Sequence, residues 1–157
     1  MFRSVRLFLV ISVILLAASV SFPASIAAVS APSMDADNST PIFISYKGIS
    51  IGMLTEQVRA SLGSPKSSAD ASDTFAPSDH EFISVYYERG KVSAFTITFT
   101  GDIGSAPAAK TVLGEEADVK PDGGLFKMVR YPKAGFWVSY CKIVGDEPIV
   151  IIAVNKI

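Results

Sequence analysis

Apolar and polar positions alternate from residue 82 to residue 100, with one break at Glu88-Arg89-Gly90-Lys91. Ile83, Val85 and Tyr87 alternate with Phe82, Ser84 and Tyr86. Beyond the break, Phe95, Ile97 and Phe99 alternate with Thr96 and Thr98. A period of two with threonine on the off positions predicts a hairpin with one face in a core and the other in water. Three more strands are expected at 125–131, 136–143 and 149–155, divided by the turn segments Pro132-Lys133-Ala134-Gly135 and Gly145-Asp146-Glu147-Pro148. Residues 42–46 read as a first strand, closed by Lys47-Gly48.

The period changes between Gly52 and Pro65. Leu54, Val58 and Leu62 fall on one side of a helix, Glu56 sits in its first turn, and Gly63 with Pro65 stops it. A second short helix is expected at 107–113, started by Pro107 and ended by Gly114. Such short helices do not persist alone, so the expected fold is α+β: two short helices packed on one face of an antiparallel sheet. Leu62-Gly63 and Leu113-Gly114, each followed by a polar stretch and then strands, suggest two tandem α-then-β units sharing that sheet. The expected core is Val58, Leu62, Phe95, Ile97, Phe99, Val112, Leu113 and parts of 149–154. Residues 66–81, rich in Ser, Ala, Asp and Pro, read as a long surface loop.

Composition adds a compartment. Arg3 and Arg6 precede a nearly unbroken apolar run at 7–20, then Pro23 and small residues at Ala24, Ser25, Ala27 and Ala28. This is the layout of a secretory signal over 1–28, with a flexible leader at 29–40 and a domain at 41–157. The expected location is exported, periplasmic or extracellular, with membrane attachment only where the signal stays uncleaved. No cysteine stands near the cut, which excludes a lipid anchor, and Cys141 is the only cysteine of the chain. Without Arg3 and Arg6, fourteen basic residues become twelve against fifteen acidic ones. That balance offers no electrostatic footprint for nucleic acid.

Catalytic sets are not found in the sequence. His80 is the single histidine and has only Asp79 and Glu81 beside it. Glu115, Glu116 and Asp118 read as a solvated rim, and Asp35, Asp37 and Asn38 lack the remainder of a calcium loop. No nucleophile elbow, phosphate-binding loop or dinucleotide fingerprint occurs. The expectation is a protein without enzyme activity, cofactor or metal. Aromatic residues carry the stronger signal. Tyr86, Tyr87, Tyr131, Trp137 and Tyr140 lie on expected strands near two turns, with Arg89 in one of them. These six residues are the candidate protein-binding set, because exposed Tyr, Trp and Arg are the usual anchors of recognition surfaces.

Gly52-Met53, Glu56-Gln57-Val58 and Leu62-Gly63-x-Pro65, followed by Val85-Tyr86-Tyr87-x-x-Gly90-Lys91-Val92, resemble the BamE/SmpA/OmlA domain across residues 48–99. The tandem layout is also similar to the beta-lactamase inhibitor protein-like fold. The resemblance implies helices against an antiparallel sheet and a role in the cell envelope. Leu54 stands where that family has a capping threonine, with Thr55 one place later as the alternative cap. Together these readings point to an exported protein-binding or envelope-scaffold module whose partner is another envelope or secreted protein. The alternative is an inhibitor of a secreted enzyme such as a beta-lactamase or protease, inserting the 66–81 loop or the Arg89 turn.

Overall fold

The computed structural model describes residues 40–157 and the backbone pairing of Met34–Asp35. The expected signal and all but the last residue of the expected leader lie outside the residues whose side chains are described.

The chain folds as one nine-stranded sheet, antiparallel except at one edge. Its strands are β1 (Met34–Asp35), β2 (Ser67–Ala69), β3 (Ser72–Ser78), β4 (Glu81–Glu88), β5 (Lys91–Thr100), β6 (Asp118–Val119), β7 (Leu125–Tyr131), β8 (Phe136–Ile143) and β9 (Ile149–Lys156). The spatial order is β1-β7-β8-β9-β5-β4-β3-β2, with β6 also on β7. Two meanders, β2 to β5 and β6 to β9, therefore meet where β5 pairs with β9. That seam runs through seven residue pairs, from Ala94 opposite Asn155 to Thr100 opposite Ile149. Among the described residues, the only parallel pairing sets Met34–Asp35 beside Val129 and Arg130 of β7.

The expectation of two helices packed on one face of a sheet is corrected by this architecture. Among the described residues only α1 (Thr55–Leu62) exceeds two turns, and α2 (Ala109–Leu113) has five residues. Strands dominate, and what recurs in the two halves is a β-meander. The physical reasons are local. Residue Ala108 precedes α2 in an extended conformation and offers no side-chain cap, while Gly114 closes it in the left-handed region (φ +79°). Little more than one turn fits between them. The stretch 66–81 is also not a loop. It forms β2, β3 and the first residue of β4, and the inward positions of β3 are Asp73 and Phe75. With an aspartate on one of the two inward positions, the apolar alternation that marks a strand is missing. Residues 42–46 are not a strand: Tyr46 makes a single bridge to Ile49.

Registers fix which side chains share a face. One row runs Phe75–Ile83–Ile97–Ile152–Tyr140–Lys127, and the next runs Asp73–Val85–Phe95–Val154–Val138–Val129. Together with Phe99 and Val150 these rows make the packed face. Val58 of α1, Ala109, Val112 and Leu113 of α2, and Ile49 complete the buried cluster. At about 25 cal/mol for each Å² of apolar surface removed from water, this cluster is the main source of stability. Leu62, expected in the core, is only half-buried.

Candidate functional site

Three charged tethers hold the covering segments on the packed face. In the first, Asp73 of β3 has a side chain with no exposed surface. Its carboxylate accepts from Arg59 Nε at 2.8 Å, Arg59 Nη2 at 3.0 Å, Ser68 Oγ at 2.6 Å and Tyr87 Oη at 3.0 Å. The Arg59 bonds, helped by those from Ser68 and Tyr87, hold the Asp73 pKa down at about 2 against the opposing effect of burial. Burial and the hydrogen bond to Asp73 push the Tyr87 hydroxyl well above its ordinary range. In the second, Glu81 of β4 accepts from Tyr46 Oη and Lys47 Nζ, each at 2.9 Å. In the third, Lys127 of β7 donates to Glu115 at 2.9 Å from the segment following α2. α1 is thus bound by a cation on the helix and an anion on the sheet. The segment after α2 is bound with the charges exchanged.

The other side of the sheet is a different surface. Side chains there follow the intervening registers: Tyr86–Ala94–Asn155–Trp137–Arg130, then Ser84–Thr96–Ala153–Ser139–Met128, then Phe82–Thr98–Ile151–Cys141–Phe126. The middle row is small except for Met128 at its end. The rows on either side carry the rings. Tyr86, Phe126 and Met128 are exposed, and Phe82, Trp137, Ile151 and Cys141 are half-buried. Ser139 is buried at the base of the small row. Lys66 Nζ stands 5.4 Å from the Phe82 ring and Lys120 Nζ 5.2 Å from the Phe126 ring, so both outer rings are flanked by a cation. Every core residue contributed by the sheet points the opposite way, and among the described residues no helix covers this face.

The six candidate residues divide by face. Tyr86 and Trp137 stand on the open face in one row, with Arg130 at its end. Tyr131 and Tyr140 are buried on the packed face, where burial raises both hydroxyl pKa values, that of Tyr131 with a further push from Glu115. Tyr87 also faces inward, in phase with Ile83 and Val85; a bulge in β5 sets Val92 opposite it, and its hydroxyl reaches Asp73. Arg89 lies in the β4–β5 turn at the end of the sheet. Sequence reasoning missed Phe82, Phe126, Met128 and Ile151 as surface residues. Their strand positions were readable, but an apolar side chain on an alternating strand is by default assigned inward.

His80 has Nδ1 3.0 Å from the Thr100 carbonyl, and Cys141 is a free thiol on the open face. Among the described residues no three His, Cys, Asp or Glu side chains are grouped to hold a metal ion. Among the described residues, two shallow clefts stand out. One of about 320 Å³ lies between Ile42, Leu113, Gly114 and Tyr131, and one of about 360 Å³ lies at the β4–β5 turn. Comparison with protein-family models, with curated proteins and with solved structures gives no match.

Proposed function

We propose that this chain is an exported, non-catalytic binding module that takes another envelope or secreted protein against the open face of its sheet. The observation that carries the reading is the face that no helix covers among the described residues: five adjacent strands present three aligned rows of side chains, with Arg130 the only charge among them. At a strand spacing of ~4.8 Å, five strands make a patch roughly 24 Å wide. Exposed apolar side chains gathered on one face, here Tyr86, Phe126 and Met128, mark an interaction site on a water-exposed protein. The small middle row allows a partner's backbone or side chains to approach closely, and Trp137, Tyr86 and Phe126 beside it supply the ring area that binding hot spots favour. The signal-like start at 1–28 and the resemblance of 48–99 to an envelope-assembly domain support a partner in the same compartment.

A photo-cross-linking residue placed at Thr98 or Ser84, with Thr111 of α2 as the control position, tests this in the producing cell. Protein adducts from the two sheet positions and not from the control are the expected outcome. They should weaken when Trp137→Ala is added. Adducts from Thr111 alone, or none from either sheet position, would show that this face has no partner.

A further inference from the structure

Two residues other than glycine adopt positive φ among the described residues, Lys47 at 45° and Arg89 at 53°. Both are cationic, and each is followed by a glycine that is also in the positive-φ region, Gly48 at 84° and Gly90 at 73°. A tight turn with positive φ at both central positions favours Asn or Asp first and Gly second. A long cationic side chain there is held against the conformational preference of its backbone, and such outliers point toward a function of the side chain. Lys47 shows what that function is: its ammonium lies 2.9 Å from the Glu81 carboxylate. Arg89 makes no ion pair or side-chain hydrogen bond with any described residue. It is the same device without its anion.

Its surroundings are built to receive one. Arg89 lines the 360 Å³ cleft together with Lys91, Lys156, Glu88, Ser93 and Gly52. Three cations face one carboxylate, and Glu88 is only loosely engaged, 3.9 Å from Lys156 Nζ. The walls are fixed. Gly52 N–H donates to the Val92 carbonyl at 2.8 Å, Val92 N–H to Met53 at 2.8 Å, and Thr55 N–H to Gly90 at 3.2 Å. An ideal Cβ at Gly52 would touch nothing within 4 Å, so that side of the cleft is open space. A guanidinium fork with two ammonium groups suits oxygens carrying delocalised negative charge, which a fork can grip in pairs.

We propose that this cleft binds a polyvalent oxyanion group, phosphate or carboxylate, gripped by Arg89 and neutralised by Lys91 and Lys156. The site is at the end of the sheet and is separate from the open face. Titration calorimetry with inorganic pyrophosphate, with citrate, and with phosphatidylcholine vesicles containing phosphatidic acid tests it and identifies the source of the anion. Binding of at least one probe is expected, weakened tenfold or more in Arg89→Asn and in Lys156→Gln and unchanged in Lys142→Gln, whose cation lies elsewhere. Arg89→Asn suits the turn better than arginine, so its melting temperature should equal or exceed that of the wild type while its affinity falls. Three results would each overturn the proposal. These are no binding of any probe, an equal loss in Lys142→Gln (a diffuse charge effect), or a lower melting temperature in Arg89→Asn, which would give Arg89 a structural role.

Discussion

Among the described residues, the Asp73 carboxylate gathers four donor atoms, and it does so with a charge buried on β3. Four donors on three segments converge on its two oxygens. Removing one donor from such a group leaves part of a buried charge unsolvated, which costs more than the bond alone is worth. Tyr87→Phe should therefore destabilise the protein by about 2 kcal/mol, read by urea unfolding, although the ring keeps its place. The pH dependence follows from the lowered pKa. Asp73 titrates at about 2 in the folded chain against 3.8 as a free side chain. Unfolded chains thus bind the proton first, and the stabilisation is complete above the unfolded value and lost as pH falls through the folded one. On the order of 2 kcal/mol is at stake, reduced by water screening at the half-exposed Arg59. In acid titrations, Asp73→Asn should be less stable than wild type at neutral pH, and the gap should narrow between pH 4 and pH 2. A gap that stays constant across that range would remove the carboxylate from the account.

Elements, one level up, show where a pattern can and cannot be read. β4, β5, β7, β8 and β9 stand where the alternation of apolar and polar residues puts them, because each has three or more inward apolar residues separated by positions that face water or the mixed open side. β3 escaped because its inward positions are Asp73 and Phe75, and the tether that makes Asp73 tolerable there comes from Arg59, fourteen residues earlier. No local pattern encodes that pairing. α1 was legible at Val58 and in its stop signals but not at its start, and Leu54 and Leu62 of its expected apolar face stay outside the core. Residue Leu54 occupies the N-cap and its backbone N–H donates to Gln57 Oε1 at 2.9 Å, whereas Thr55 lies inside the first turn. Of the six binding candidates, which the sequence offered as one set, the register brings only Tyr86 and Trp137 together on the open face. The carboxylate that takes the Tyr87 hydroxyl, and the core rows that take Tyr131 and Tyr140, depend on partners distant in the chain. α2 carries its own prediction. Gly114 ends it at φ +79°, and a Cβ there would come 2.9 Å from Ile42 Cδ1. The isoleucine tip can shift, but the left-handed backbone cannot be made comfortable for alanine. Gly114→Ala should cost about 1–2 kcal/mol in unfolding measurements.

At the scale of the whole molecule, the seam between β5 and β9 decides how the protein is held together. Each meander alone would leave one long strand with a free edge: β5 in the first half, β9 in the second. Unpaired long edges are sites of aggregation, and here each edge satisfies the other. Phe95, Ile97 and Phe99 meet Val154, Ile152 and Val150 across the seam, all at or near full burial. The outer strands are protected differently. β2 is exposed along its whole length, and β6 has two residues, both exposed. Local opening requires fewer buried contacts to be broken at such edges, so opening free energy should rise toward the centre of the sheet. Native-state hydrogen exchange should therefore show the slowest amides in β5 and β9, intermediate ones in β4 and β8, and the fastest in β2 and β6, graded alike in both halves. Phe95→Ala should cost about 3–5 kcal/mol and bring the slow amides of β9 down with those of β5, since the two strands share one packing row. If β9 kept its protection while β5 lost it, the two meanders would be independent folding units. The open face, which spans both, would then lack the rigid centre that a docking surface needs.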